Sequence, residues 1–304
     1  MRAFYCDHFV LPLPDGHRFP MAKYARLRER VIGEGIVAGG DLQEATAASW
    51  EDLALVHTAE YVRDVGQGTL PRETQRRIGF PWSPAMVERA RRSVGATIAA
   101  ARAALADGAA ANLAGGTHHA FSDRGEGFCV FNDVAVASRV LLRDGLVRRV
   151  AIIDCDVHQG NGTAAIFAAD PLVFTFSIHG ARNFPFRKET SDLDVTLDDG
   201  ATDADYLPLV EQHVPRVLDA HQPDIVFYVS GADPYAGDRL GRLKLTIDGL
   251  RRRDAIVFAA CRTRRIPVVA TMAGGYAADV DAIVTIHANT IREAAHTQWS
   301  TSCC

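Results

Sequence analysis

Short apolar runs alternate with longer helical segments from about residue 83 to near the end of the sequence. The runs that we interpret as strands are residues 110–114, 150–155, 172–178, 224–230 and 267–272, and the helical segments are residues 83–106, 132–142, 205–220, 246–264 and about 277–295. Strands that are apolar along their whole length are typical of a parallel sheet whose two faces are both covered. The sequence therefore predicts an α/β protein with a central, mostly parallel sheet and helices on both faces.

Several predicted helix ends are marked by residues with a known capping preference. Ser83 followed by Pro84 is typical of an N-cap and the first helical residue. Gly108 predicts the end of that helix, and Asn132 and Gly145 predict the two ends of the next one. These positions separate the helices from the apolar runs between them.

The chain has 304 residues, a length within the range of a one-domain α/β enzyme. It shows no linker-like segment, repeat or break in composition, so we expect one domain over residues 1–304 with a disordered tail from about residue 297. Hydrophobic residues make up 48% of the chain, which is enough for a substantial core. The net charge of −4 does not favour nucleic acid or an acidic membrane as a partner.

The cysteines and the N-terminal residues bear on where the protein works. The six cysteines show no CxxC spacing, which favours reduced thiols. The N-terminal residues do not resemble a signal peptide, and no apolar run is long enough to span a membrane. We therefore expect a cytoplasmic protein without a membrane span, with Cys303 and Cys304 in the disordered tail.

Side chains that can bind metals or transfer protons follow the carboxyl ends of the five predicted strands. In chain order they are His118 and His119, then Asp154, Asp156 and His158, then His179, then Asp233, and finally Tyr276. Open α/β sheets bind ligands at this edge. The repetition from strand to strand predicts one functional site there.

Asp154, Asp156 and His158 alternate along the chain, so an extended backbone would point all three side chains to one face. Carboxylates with an imidazole suit a divalent cation such as zinc. The alternative is an acidic turn in which His158 caps a helix. Asp233 at the end of another strand adds a ligand and makes a metal site the favoured interpretation. Three protein ligands leave a coordination position for water, which is typical of a catalytic site.

Two further groups have the chemistry that such a site needs. His118 and His119 follow a Gly-Gly pair, and histidine has a suitable pKa for a general base. Tyr276 follows Gly274 and Gly275, and its phenol is a neutral donor for a developing oxyanion. The alternative interpretation of Tyr276 is a packing residue.

Residues 127–133, GFCVFND, combine a glycine and two aromatics ahead of a predicted helix. One interpretation places Phe128 in the wall of a narrow apolar channel. The other is a loop that fills space, with Asn132 as the N-cap of the helix. The residues by themselves leave both interpretations open.

Five motifs in order resemble those of the zinc-dependent histone deacetylases, which have an arginase/deacetylase-like fold. The motifs are GGTHHA (115–120), GFCVFND (127–133), IDCDVHQGNGT (153–163), SGADPYAGDRLGRLKLT (230–246) and AGGY (273–276). The resemblance extends over about residues 61–295. HTAEYV (57–62) and RRIGFPWSP (76–84) resemble the class IV branch and its bacterial relatives.

The resemblance implies a role for each residue that matches a motif. Asp156, His158 and Asp233 match the zinc ligands, and Tyr276 matches the tyrosine that stabilises the oxyanion. His119 matches the general base and acid, with Asn161 as its partner. His118 matches the second histidine of the site, which is hydrogen-bonded to Asp154. It also implies a structural monovalent cation, usually potassium, held by Asp154, Ser177 and the carbonyls of Asp156 and His158.

The resemblance places an acyl-lysine substrate in a tunnel beside Gly127, Phe128 and Gly274. Phe128 matches one aromatic wall, and the opposite wall would come from Phe184 or Phe186. Two features depart from other family members. Asn161 stands where many have aspartate, so the pKa of His119 should be lower than beside a carboxylate. Residues 66–80 form a short segment without a clear counterpart of the acid that grips the substrate backbone.

These observations together predict a zinc-dependent enzyme that hydrolyses N-acyl amides of lysine side chains in a protein or peptide. The acyl group is acetyl or a longer fatty chain, and the class IV resemblance favours longer chains. Alternatives are an enzyme for acylated polyamines or other small acyl-amines, and a non-catalytic acyl-lysine binding module. A binuclear ureohydrolase is disfavoured, because Asp233 is a single ligand at its strand end where a pair is needed.

Overall fold

The computed structural model describes residues 1–296 and contains one eight-stranded sheet. The strands are β1 (Ala3–Tyr5), β2 (Leu42–Glu44), β3 (Ala109–Asn112), β4 (Val150–Asp154), β5 (Val173–Gly180), β6 (Leu193–Leu197), β7 (Ile225–Val229) and β8 (Val268–Thr271). Their order across the sheet is β2-β1-β3-β8-β7-β4-β5-β6. Every neighbouring pair is parallel.

Ten α-helices connect or flank these strands within the described residues. They are α1 (Ala22–Gly33), α2 (Trp50–Leu53), α3 (Ala59–Gln67), α4 (Arg72–Ile78), α5 (Pro84–Asp107), α6 (Asp133–Arg143), α7 (Asn161–Ile166), α8 (Asp203–His221), α9 (Ile247–Arg264) and α10 (Val280–Ala295). A short 3₁₀ helix covers Gly39–Asp41. No helix in residues 1–296 is long and apolar enough to cross a membrane.

The sheet separates two hydrophobic cores, and side chains alternate between them along each central strand. In β4, Ala151 and Ile153 belong to one core, which also contains buried residues of α1, α8, α9 and α10. Val150 and Ile152 belong to the other core, with residues of α5 and α6. This two-sided coverage explains why the central strands are apolar along their whole length.

The predicted fold class is confirmed by this architecture, and all five predicted strands are present with ends shifted by up to two residues. The helix after Ser83 begins as predicted, since the Ser83 hydroxyl accepts a hydrogen bond from the Met86 N–H at 3.1 Å. His179 does not follow its strand: β5 continues to Gly180, because His179 pairs with Thr196 of β6. The predicted tail, including Cys303 and Cys304, lies outside the described residues.

The register of the central strands brings four strand ends into line. Asp154 of β4 lies opposite Val229 of β7, and Val229 lies opposite Thr271 of β8. Thr271 in turn lies opposite Asn112 of β3. The loops after β3, β8, β7 and β4 therefore leave the sheet side by side, and these loops carry most of the predicted site residues.

Candidate active site

Asp156, His158 and Asp233 form a buried cluster at the carboxyl edge of the sheet. One possible ligand atom from each residue lies within 4.8 Å of the others. The Nδ1 atom of His158 is 2.9 Å from Asp156 Oδ1 and 3.1 Å from Asp233 Oδ2. The structure thus brings the three predicted ligands together from two adjacent strands, β4 and β7.

The electrostatics of this cluster fit a bound cation. Burial, followed by repulsion from Asp156, raises the pKa of Asp233 to about 7. Burial opposes ionisation of His158, but the charges of Asp233 and Asp156 and the hydrogen bond to Asp156 outweigh it and raise the pKa of His158 to about 10. Among the described residues, Asp233 Oδ2 accepts no hydrogen bond, and its 3.1 Å contact with His158 Nδ1 is an ion-pair contact only. Two buried carboxylates and an imidazole suit zinc, so the residues fit that ion.

Asp154 lies outside this cluster, although the alternation along the chain predicts that Asp154, Asp156 and His158 share one face. The backbone bends after Asp154, where β4 ends. One oxygen of Asp154, Oδ2, lies 2.6 Å from His118 Nδ1, and the other accepts the Asp156 N–H at 3.1 Å. Asp154 thus contacts a histidine, as the family resemblance implies.

His118 and His119 follow β3 through a turn that the Asp133 carboxylate stabilises. This carboxylate accepts the N–H groups of Gly116 at 3.0 Å and Thr117 at 2.7 Å. Gly116 has a φ of 71°, a conformation that favours glycine. The Gly-Gly motif therefore serves to turn the chain so that both imidazoles enter the site.

The two histidines have different partners and opposite pKa shifts. Burial lowers the pKa of His118, but the charges of Asp154 and Asp156 outweigh it and raise this pKa to about 9. His119 Nδ1 lies 2.7 Å from the amide oxygen of Asn161. Burial, with the charges of His118 and His158, lowers the pKa of His119 well below its ordinary value. The N-cap of α7 is Gly160, so the Asn161 side chain is not that cap.

Tyr276 is held in the loop after β8 by its backbone. Its N–H donates to Asp238 Oδ2 at 2.6 Å, and Arg239 Nε donates to its carbonyl at 2.8 Å. The phenol ring lies 6.4 Å from the His158 ring, measured between centroids. Burial raises the pKa of Tyr276 well above its ordinary value, so its hydroxyl keeps its proton.

Gly274 allows the loop after β8 to approach the cluster closely. Its N–H donates to Asp156 Oδ2 at 2.9 Å. A Cβ atom at this position would overlap the carboxylates of Asp233 and Asp156. The AGGY motif therefore needs a glycine here because two acidic side chains occupy the space.

Arg253, which no sequence motif indicates, supports the loops that carry the cluster. This fully buried side chain donates to the carbonyls of Ser230, Gly231 and Cys155, which lie beside the ligand loops. Its charge is balanced by Asp254 at 2.8 Å. Helical spacing between the buried Leu250 and Val257 places position 253 on the buried face, and this spacing was the available signal.

Two pockets meet at the cluster. We call them the entrance pocket, which opens to solvent, and the inner cavity, which continues past the cluster toward α5. Both are lined by His119, Gly127, Phe128, His158 and Tyr276. The inner cavity is also lined by Leu11, Phe19, Tyr24, Phe80, Met86 and Arg89, which the sequence analysis did not single out.

Phe128 lines both pockets, and Asn132 caps α6 by accepting the Ala135 N–H at 3.1 Å. Both interpretations of the GFCVFND segment therefore describe part of its structure. Phe184 lies with its ring 5.0 Å from that of His119, whereas Phe186 is 85% exposed. Both predicted candidates for the second wall line the entrance pocket, and Phe184 is the one whose ring contacts His119.

Two further residues lie near the site: Ser177, which is a predicted potassium ligand, and Lys23, which contacts the loop after β8. Ser177 is the register partner of Asp154 across β4 and β5, so the side-chain donors predicted for potassium are adjacent. Lys23, which the sequence analysis missed, donates from its buried amine to the carbonyl of Ala273 at 3.1 Å. Its amine also lies 5.5 Å from the centre of the Tyr276 ring. No motif in the sequence pointed to this contact.

Comparison with known proteins identifies the family. Residues 17–291 match the model of the histone deacetylase domain. The chain is 33% identical to a histone deacetylase-like amidohydrolase of Pseudomonas aeruginosa, covering 87% of this chain and 74% of that protein. It is 31% identical to histone deacetylase 2 of Arabidopsis thaliana, with 86% and 70% covered, respectively.

Two further similarities extend over nearly the whole chain. An uncharacterized protein of a Picosynechococcus strain is 44% identical, with 93% of this chain and 94% of that protein covered. The crystal structure of an HDAC homolog from Aquifex aeolicus matches with a TM-score of 0.80 and 23% identity, covering 97% and 84% of the two chains. The structural match supports the fold, and the family model and sequence relatives establish the lineage. The chain belongs to the histone deacetylase family.

Proposed function

We propose that this protein is a zinc-dependent deacylase that removes acyl groups from lysine side chains. Membership of the family indicates a deacetylase or amidohydrolase activity. The observation that carries the finer proposal is the buried Asp156, His158 and Asp233 cluster at the junction of two pockets, beside His119. These three residues would hold the zinc ion.

His119 is suited to accept a proton from water. The Asn161 amide oxygen is an acceptor, so His119 Nδ1 carries the ring proton and Nε2 has a free lone pair. Zinc, when bound, would polarise the substrate carbonyl and lower the pKa of water. The Tyr276 hydroxyl donates to the oxyanion that develops on the carbonyl. His119 or His118 then protonates the leaving amine.

The two pockets divide the substrate between them. The lysine side chain reaches the cluster through the entrance pocket, between Phe128 and Phe184, and Gly127 lets it pass close to His119. Gly127 has no room for a side chain, since a Cβ there would come within 2.7 Å of the His119 ring. The acyl group extends into the inner cavity.

The charge at the entrance favours a peptide over an acylated polyamine. Of the described residues, four arginines and one glutamate line the entrance pocket: Arg18, Arg77, Arg182, Arg242 and Glu126. Three of these arginines are paired with Glu73 or Asp199, which do not line it. A polyamine carries several positive charges and would be repelled. A purely binding module is disfavoured because every predicted catalytic residue is present.

We also propose that potassium binds at Asp154 and Ser177 with the carbonyls of Asp156 and His158, supported by the adjacent positions of Asp154 and Ser177. The potassium proposal is tested by measuring the melting temperature in potassium chloride and in tetramethylammonium chloride at equal ionic strength. Equal stability in the two salts would contradict it. The class IV-like assignment is a separate proposal, which the motifs HTAEYV and RRIGFPWSP support.

A panel of acyl-lysine peptides and acyl-polyamines, from acetyl to myristoyl, tests the main proposal with and without a chelator. We expect hydrolysis of acyl-lysine peptides that a chelator abolishes and zinc restores. Cleavage restricted to acyl-polyamines would support the small-molecule alternative. Tight binding of acyl-lysine peptides without any turnover by the zinc-loaded protein would support the binding module.

A further inference from the structure

Arg89 is a buried cation without an anionic partner. It lies on α5, is 8% exposed and lines the inner cavity. Within residues 1–296 its Nη1 atom has no hydrogen-bond partner, and no carboxylate lies within ion-pair distance of it. Its guanidinium instead lies over the face of Tyr24, whose ring centre is 4.5 Å from the guanidinium carbon.

This arrangement is energetically unusual, because a buried charge is normally paired and fully hydrogen-bonded. The other deeply buried arginine, Arg253, follows that rule with Asp254 and three carbonyls. Asp7, which is also buried, pairs with Arg28 at 2.8 Å. A cation–π contact with Tyr24 compensates only part of the desolvation. Arg89 therefore brings an incompletely compensated charge to the lining of the cavity.

The position of Arg89 connects this charge to the reaction centre. Met86, Arg89, Ala90 and Ser93 are spaced along one face of α5, and all four line the inner cavity. His118, His119, Asp156 and His158 line the same cavity. A group that enters the cavity from the cluster thus shares this cavity with the Arg89 side chain.

The cavity has a volume of about 70 Å³. One water molecule needs at least about 10–15 Å³ in such a measure, so the cavity has room for several water-sized groups. That is enough for a short acyl chain beyond the carbonyl. Short acyl groups therefore fit the cavity, and the unpaired charge selects among them.

We propose that Arg89 binds a carboxylate at the far end of the acyl group, so that the preferred substrates carry short dicarboxylic acyl groups such as succinyl. This inference rests on the proposed deacylase function. Water supplies the oxygen that bonds to the carbonyl carbon, the C–N bond breaks, and the amine takes a proton. The products are a free lysine side chain and a dicarboxylate, whose distal carboxylate pairs bidentately with the guanidinium.

The test compares kcat/KM for a succinyl-lysine peptide and the same peptide with a 4-methylpentanoyl group, which has nearly the same shape without charge. The wild type should prefer succinyl. Arg89→Met should lower the ratio of the two kcat/KM values about 10- to 100-fold, the usual range for a lost charged hydrogen bond. Arg89→Lys should keep part of the preference. Arg102→Met, an exposed arginine on the same helix, is the matched control and should keep the full ratio.

A binding measurement separates this inference from the proposed function. Calorimetry compares succinate and 4-methylpentanoate with the wild type and Arg89→Met, and requires no turnover. If no acyl-lysine is cleaved but succinate binding still depends on Arg89, the deacylase proposal fails and the anion site stands. The inference is overturned if the wild type prefers the neutral acyl group, or if Arg89→Met affects both acyl groups, or both acids, equally.

Discussion

The Nδ1 atom of His119 lies 2.7 Å from the amide oxygen of Asn161. This contact orients the imidazole and fixes its tautomer, but an amide brings no negative charge. Burial and the charges of His118 and His158 therefore lower the pKa of His119, and only the hydrogen bond to Asn161 and the charge of Asp156 oppose them. The neutral base is available over a wider range of acidic pH than it would be beside a carboxylate.

Asn161→Asp should raise the pKa of His119, because a nearby negative charge favours the imidazolium. The limb of the kcat/KM profile that requires neutral His119 should then move to higher pH. The measurement is the full pH profile of wild type and variant on one acyl-lysine substrate, both loaded with zinc. Asn289→Asp, on α10, provides a control with the same change in charge. Superimposable acidic limbs would show that Asn161 does not act on His119.

Asp233→Asn should abolish zinc binding and activity while the protein stays folded. The amide keeps the shape of the side chain but removes one of two ligand charges from the cluster. Metal content per chain, measured after dialysis, is the readout, and circular dichroism checks the fold. Asp248→Asn, an exposed aspartate on α9, is the control and should retain the metal. Full zinc occupancy in Asp233→Asn would contradict the assignment of this ligand.

Tyr276→Phe should lower kcat about 10²- to 10³-fold, as the loss of one oxyanion donor typically does. Substrate affinity and zinc content should change little, because the hydroxyl acts mainly in the transition state. Single-turnover kinetics and peptide binding to the variant separate these effects. A rate equal to that of the wild type would mean that Tyr276 is a packing residue of the two pockets.

Gly274→Ala should lower zinc affinity, although no ligand is changed. The added methyl group would overlap the carboxylates of Asp233 and Asp156 and push them apart. Titration with zinc in competition with a chelating dye measures the change. Gly33→Ala, where no atom lies within 4 Å of the added Cβ, is the matched control. Equal zinc affinity in both variants would refute the close approach.

We predict that His57 makes the free energy of unfolding depend on pH, and that this effect is independent of the metal site. Its Nδ1 atom lies 2.9 Å from the Phe121 carbonyl oxygen, and its Nε2 accepts the Asn132 N–H at 3.0 Å. The neutral ring satisfies both partners, and burial lowers the pKa of His57 from 6.5 to about 4. Because the folded-state pKa is depressed, the stabilisation is complete above pH 6.5 and is lost as pH falls toward 4.

We expect His57 to account for about 2 kcal/mol of the stability lost between pH 7.5 and pH 5. Urea unfolding of wild type and His57→Gln at both pH values measures it, since glutamine offers both hydrogen-bonding groups without titrating in this range. The two proteins share all other titrations, so the difference between them isolates this residue. Parallel losses of stability would contradict the prediction.

The sequence predicted the central strands and the acidic cluster because their signals are local. An apolar run followed at once by Asp154, Asp156 and His158 needs no knowledge of distant contacts. In contrast, β1 and β2 have three residues each, too few to show a periodic pattern. They are recognisable only once β3 lies beside them.

Residues that act through distant contacts were beyond prediction. Helical spacing puts Met86, Arg89 and Ser93 on one face of α5, but it does not distinguish a solid core from a cavity. Similarly, Phe184 and Phe186 lie two positions apart in a segment that is not helical, and only the folded loop shows which one meets His119. Such distinctions depend on packing between elements far apart in sequence.

The position of β8 has a consequence for the order in which the chain is synthesised. β8 is the last strand along the chain, yet it lies between β3 and β7. A growing chain on the ribosome must therefore leave these two strand edges unpaired until its final strand emerges. A chain truncated before residue 268 would lack Tyr276 and expose both edges, which favours aggregation. Incomplete translation products should thus be inactive and prone to degradation.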